Sequence, residues 1–178
     1  VEEGITKENE ELFKALMNNT RNGIILTDEK GRIIEWNHGM ELLTGLRFEQ
    51  VAGKKYNNIT YSLLPIHLQR PEILETGNRI MEQILNGGEI PEPYGNYQMQ
   101  PKNSNNLKYV DIRRFSIKTS QGWRLGSIIS DTTTRVKERL KLKENETRFK
   151  AIMNESLDGI ALTNEEGNII EWNRGMEE

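Results

Sequence analysis

The residue with the clearest chemical potential is Arg114. In the stretch Leu107 to Lys118, which has strand composition, Val110 and Ile112 fall in phase on one face, and Arg114 continues that phase. A cation on a buried face needs an anionic partner. Arg114 is therefore a candidate anchor for a carboxylate or other anionic group of a ligand. A bulge near Arg113 would instead turn Arg114 out and Phe115 in, and at this level both readings stand. Little else in the chain suggests reaction chemistry. There is no cysteine, which removes thiol nucleophiles, thiolate metal sites and disulfides. Two histidines, His38 and His67, leave little for metal ligation or general-base work. No Gly-rich phosphate loop, no paired His/Asp constellation and no metal-ligand spacing is present. No catalytic residue and no metal ligand is assigned.

The elements that must position Arg114 follow from periodicity. Residues 5–18 place Ile5, Leu12 and Leu16 at helical spacing. Gly23 to Asp28 reads as a strand, Glu29 to Gly31 as a tight turn, and Arg32 to Trp36 as the return strand of a hairpin. Asn37 is placed to cap a short helix from Gly39 to Thr44, which Gly45 ends. Phe48 to Val51 is a further helical turn, and residues 56–70 are ambiguous. Pro71 to Asn86 is the best helix, with Pro near its start and Gly87-Gly88 as its stop. Three strands follow: Tyr94 to Gln100, Leu107 to Lys118 and Gly122 to Ser130. A charged helix then runs over 134–153. Small helices grouped between two blocks of strands imply an α+β fold, with one antiparallel sheet covered on one face.

The chain also repeats itself. Residues 7–42 and 143–178 align without a gap at an offset of 136, with 23 identities in 36 positions. That period is the size of a domain plus a linker, too long for a solenoid repeat. It implies a first domain followed by the truncated start of a second, in a fragment of a longer protein. The 36-residue opening of a second copy, 143–178, cannot bury a core alone. Its hairpin, 159–172, would leave Ile160, Leu162, Ile169, Ile170 and Trp172 to pair with another copy of the chain or remain disordered.

The run F-K-A-L-M-N…G-I-I-L-T-D-E-K-G-R-I-I-E-W-N, followed by Gly39-Met40-Glu41 and L-T-G, resembles the opening of a PAS domain. The ending Gly126-Ser-Ile-Ile-Ser-Asp131-Thr132-Thr133, leading into a charged helix, resembles the terminal strand and Asp-x-Thr signature of that family. The match covers about residues 8–134, and the second copy repeats its start. The resemblance implies a PAS fold: a five-stranded antiparallel sheet in the order 2-1-5-4-3, flanked by small helices around a pocket. It implies an N-terminal linker helix (1–18), a complete PAS domain (19–133), a linker helix (134–154) and the start of a second PAS domain (155–178).

The same resemblance implies a non-catalytic sensory module of a larger signalling protein, foremost a sensor histidine kinase of a two-component system, with further PAS and kinase domains downstream. The alternative is a ligand-free dimerisation module of a diguanylate cyclase or transcription regulator. Asp131 and Thr133 would tie the last strand to the departing helix and relay the signal. The pocket candidates by phase are Ile80 and Ile84 on the long helix, Tyr97, Met99, Val110, Ile112 and Arg114 on the third and fourth strands, and Ile128 on the last. The ligand would be a small molecule, with Arg114 favouring an anionic one. Haem is disfavoured because His67 lies before Pro71 rather than in the helix body. Cysteinyl-flavin photochemistry is excluded by the absence of cysteine, and no cofactor is assigned. A net charge of −3 gives no case for nucleic-acid binding. The Lys/Arg-rich helix 135–150 reads as a solvated helix with interleaved charges, whose apolar positions could form a homodimer seam. No apolar run is long enough for a membrane span, and a cytoplasmic segment is expected.

Overall fold

The computed structural model describes residues 2–176 and, among these, the side chains from residue 11 onward. The expected outer segments therefore keep Val1, Glu177, Glu178 and the side chain of Ile5 outside the described residues. The chain divides into two compact units, residues 1–133 and 134–178.

In the first unit a helix, α1 (Glu2–Asn19), precedes a hairpin of β1 (Gly23–Thr27) and β2 (Ile33–Trp36). The hairpin forms because Asp28 Oδ1 accepts from the amides of Lys30 and Arg32, and Gly31 supplies the positive φ the turn requires. Next come α2 (His38–Thr44), α3 (Phe48–Val51) and α4 (Tyr56–Ser62). Gly45 closes α2 in the left-handed region at φ 75°, its amide donating to the Glu41 carbonyl. A 3₁₀ turn at Ile66–Leu68 leads to α5 (Pro71–Leu85). The segment 56–70, unreadable from periodicity, is thus a two-turn helix and a 3₁₀ turn. Both are too short to show a helical period.

The sheet is completed by β3 (Tyr94–Met99), β4 (Lys108–Thr119) and β5 (Gly122–Asp131). All neighbours are antiparallel, in the order β2-β1-β5-β4-β3. Ile25, Leu125, Ile129, Val110 and Met99 point from the sheet into a core shared with Met40, Leu43, Tyr56, Met81 and Ile84 of the helices. The fold is therefore α+β, with helices α2 to α5 covering one face of the sheet.

Helix α6 (Thr133–Glu155) starts at the last residue of the first unit, and the second unit continues with β6 (Ala161–Thr163), β7 (Ile169–Trp172) and a 3₁₀ turn at Arg174–Met176. The repeat is reproduced in atomic detail. Ala161↔Trp172, Leu162↔Glu171 and Thr163↔Ile169 match Ile25↔Trp36, Leu26↔Glu35 and Thr27↔Ile33, and the register shifts at the same step. What differs is cover. Ile33 and Trp36 are 1% and 3% exposed, whereas Ile169 and Trp172 are 54% and 56% exposed.

Candidate ligand cavity and its exit joint

Between the sheet and helices α4 and α5 lies a cavity of about 440 Å³, a size typical of small-molecule sites. Seven of the eight residues expected there line it: Ile80, Ile84, Tyr97, Met99, Val110, Ile112 and Arg114. Ile128 does not. It pairs with Ile24 and Arg113 on the opposite side of the sheet, and Leu125 and Ile129 line the cavity in its place. The strand segment Leu125-Gly-Ser-Ile-Ile has apolar or small residues in both phases, so no alternation marks its inward side. The signal that finds the correct phase is the opposing glycine. Gly126 sits against the Phe115 ring, leaving no room for a Cβ, and that fixes its parity, and hence Ile128's, to the outer face.

Arg114 faces the cavity. The β4–β5 ladder runs without a bulge from Val110↔Asp131 to Thr119↔Gly122, so strict alternation is kept. Arg113 turns outward and stacks over Tyr94, 5.6 Å from the ring centre. Arg114 lies over the Tyr97 ring at 5.0 Å. Its Nη1 donates to the Tyr97 hydroxyl (3.1 Å) and, at a longer 3.3 Å, to the Glu92 carbonyl. Its backbone amide donates to the Pro93 carbonyl at 2.7 Å. Residue 114 thus holds the segment before β3 at the cavity rim by both main chain and side chain. Burial works against the guanidinium charge, but the phenols of Tyr56 and Tyr97 outweigh it, and the group is held above the ordinary arginine range. Tyr56, in the segment the sequence leaves ambiguous, also lines the cavity; its hydroxyl meets the buried Ser127 Oγ at 3.3 Å.

Asp131 and Thr133 stand where β5 passes into α6. Asp131 Oδ1 accepts from the Thr133 amide (2.9 Å), and its Oδ2 pairs with Lys108 Nζ at 3.3 Å. Thr133 Oγ1 accepts from the Tyr109 amide at 3.0 Å. The Thr132 amide and hydroxyl both donate to the Tyr109 carbonyl. The last residues of β5 are therefore clamped to the start of β4. Burial opposes the Asp131 charge, yet the hydrogen bonds from Thr133 and the Lys108 ammonium prevail and hold its carboxyl below the usual range. Ile129, on the cavity wall, is two residues from Asp131.

The histidines lie elsewhere. His67 is exposed in the 3₁₀ turn, and His38 is exposed at the start of α2, its Nδ1 3.3 Å from Glu41 Oε2. Among the described residues no three His, Asp or Glu side chains are grouped to hold a metal ion, and no helix is long and apolar enough to cross a membrane.

Comparison with known proteins agrees with this architecture. A PAS fold model matches residues 11–91, and a PAS domain model matches residues 147–178, together more than half of the chain. The chain belongs to the PAS domain family, whose members are sensory modules generally without catalysis of their own. Among similar solved structures is the PAS domain of an HTR-like protein from Haloarcula marismortui, at 18% identity over 73% of this chain and 97% of that one, with TM-score 0.54. A PAS domain from Colwellia psychrerythraea is 22% identical over 73% and 98% of the two chains, with TM-score 0.50. The PAS domain of Bordetella pertussis BvgS is 16% identical over 79% and 98%, with TM-score 0.52. At these identities the likeness is one of fold. No curated protein sequence matches the chain.

Proposed function

We propose that residues 19–133 are a complete ligand-sensing PAS domain, joined by a linker helix at 134–154 to the start of a second at 155–178. The module belongs to a cytoplasmic segment of a larger signalling protein, foremost a sensor histidine kinase. A small molecule in the cavity shifts β4 and β5, and the shift passes through Asp131 and Thr133 into α6. The observation that carries this reading is continuity. Val110, Ile112 and Ile129 line the cavity, and the same two strands end in the Lys108–Asp131–Thr133 clamp. A ligand drives such a change only as far as it binds one state better than the other.

A second reading, a ligand-free dimerisation module of a diguanylate cyclase or transcription regulator, is favoured by apolar side chains left exposed. These are Leu12 and Leu16 on α1, and Ile169, Ile170 and Trp172 on the second hairpin. Either helices or that hairpin would then meet their counterparts in a homodimer. Gentle native mass spectrometry separates the two readings. The wild-type chain, purified from cells, is expected to carry added mass that Ile80→Trp, which places an indole in the ligand's path along α5, does not. Bare chain mass in both proteins, with no uptake of the neutral apolar dye Nile red, would contradict ligand sensing.

A further inference from the structure

The cavity is apolar with a single cation. Of the side chains that line it, only Arg114 and Glu92 bear charge. Glu92 is exposed at the rim, where its carboxylate stays hydrated. No carboxylate among the described residues lies within ion-pair distance of Arg114. Elsewhere in the same unit partly buried cations are given an acid: Arg124 Nε meets Glu29 Oε1 at 2.6 Å, and Lys108 meets Asp131 at 3.3 Å. Arg114 has instead a carbonyl, the phenols of Tyr97 and Tyr56 and the face of the Tyr97 ring, acceptors that carry no net negative charge. A charged group in such surroundings is stabilised most by a charged acceptor.

We infer that the cavity selects an organic monoanion: one acid group on the Arg114 guanidinium and an unbroken apolar body along Ile80, Ile84, Val110, Leu125 and Ile129. A second charge on the ligand would find no second cation in the lining, or would face the like charge of Glu92 at the rim. A neutral ligand of the same body would leave Arg114 paired as it is now and gain only the apolar contacts. Arg114 is thus a specificity determinant, and its bond to the Glu92 carbonyl is the one an incoming acid group would contest.

The inference rests on the ligand-sensing reading, so the probes are chosen to separate the two. Octanoate, octan-1-ol and octanedioate share one chain length and carry one, no and two carboxylates at their ends; Nile red reports on an accessible apolar cavity whatever its charge preference. Titration calorimetry of the full chain is expected to show octanoate binding roughly tenfold or more tighter than either octan-1-ol or octanedioate, the worth of one charge-assisted contact. Arg114→Gln should lower octanoate affinity by a similar factor and leave octan-1-ol unchanged. Arg114→Lys, which keeps the charge but loses the planar fork, should fall between. Nile red uptake with no preference for octanoate in the wild type, or octanoate binding indifferent to Arg114→Gln, would overturn the monoanion inference alone. Silence of Nile red and of all three probes would overturn the sensing reading and this inference with it.

Discussion

Asn37→Ala is expected to lower the unfolding free energy of the first unit by about 3 kcal/mol, well beyond the ~1 kcal/mol of an ordinary helix cap. The sequence presents Asn37 as the cap of α2, and it is one: its Oδ1 accepts from the Met40 amide at 3.1 Å. The same oxygen also accepts from the Ile24 amide at 2.7 Å, and its Nδ2 donates to the carbonyls of Met17 (2.7 Å) and Asn22 (3.0 Å). One buried amide therefore ties α1, β1 and α2 together. Alanine would take this partner from the Ile24 amide and from two carbonyls where little water reaches, while the Met40 amide keeps the Asn37 main-chain carbonyl at 2.9 Å. Urea unfolding followed by tryptophan fluorescence, to which the buried Trp36 reports, measures the loss. A change below about 1 kcal/mol would mean that the capping bond alone matters. Asn173 repeats two of the four bonds, accepting from the Ile160 amide and donating to the Asp158 carbonyl, and its other donated bond goes to Ser156.

Gly39→Ala is expected to destabilise by about 2–4 kcal/mol, although alanine is the better helix former by ~1 kcal/mol. Gly39 lies in the first turn of α2, and a Cβ there would stand 2.3 Å from the Asn22 carbonyl oxygen and 2.7 Å from its carbon. These are backbone atoms, and the oxygen is the one that Asn37 Nδ2 holds. Relief would require α2 to lift from β1, so the steric cost outweighs the propensity gain. The same urea experiment checks the sign. Unchanged or increased stability would show that the helix start can shift without loss. Gly175, its counterpart in the repeat, has the Asp158 and Leu157 carbonyl oxygens at 2.7 and 3.0 Å from the same hypothetical Cβ.

Much of this architecture is legible in the residues because the local signals agree with one another. Gly31 places the first turn, Asn37 and Gly45 bracket α2, and Pro71 opens α5. The polar runs after Gln100 and Lys118 separate three strands. Arg114 is legible by parity because β4 has no bulge to disturb the count. Ile128 is misplaced because β5 is apolar or small in both phases, and only its non-local neighbour Phe115 distinguishes them. Tyr56 and its contact with Ser127 are invisible to local reasoning, since they join residues 71 positions apart. Asn37 is legible as a cap but not as a hub, because two of its four bonds reach back to residues 17 and 22, ahead of β1.

In the proposed function, occupancy of the cavity is felt at the start of α6. Hydrogen exchange on the full chain, with and without saturating octanoate, tests it most directly at the amides of residues 132–139. A ligand-dependent change in protection is expected there in the wild type. That change should be lost in Asp131→Ala, while octanoate affinity and the protection of the β4 and β5 amides lining the cavity are retained. Ligand-dependent protection confined to the cavity in the wild type, or a response at 132–139 that survives Asp131→Ala, would contradict it.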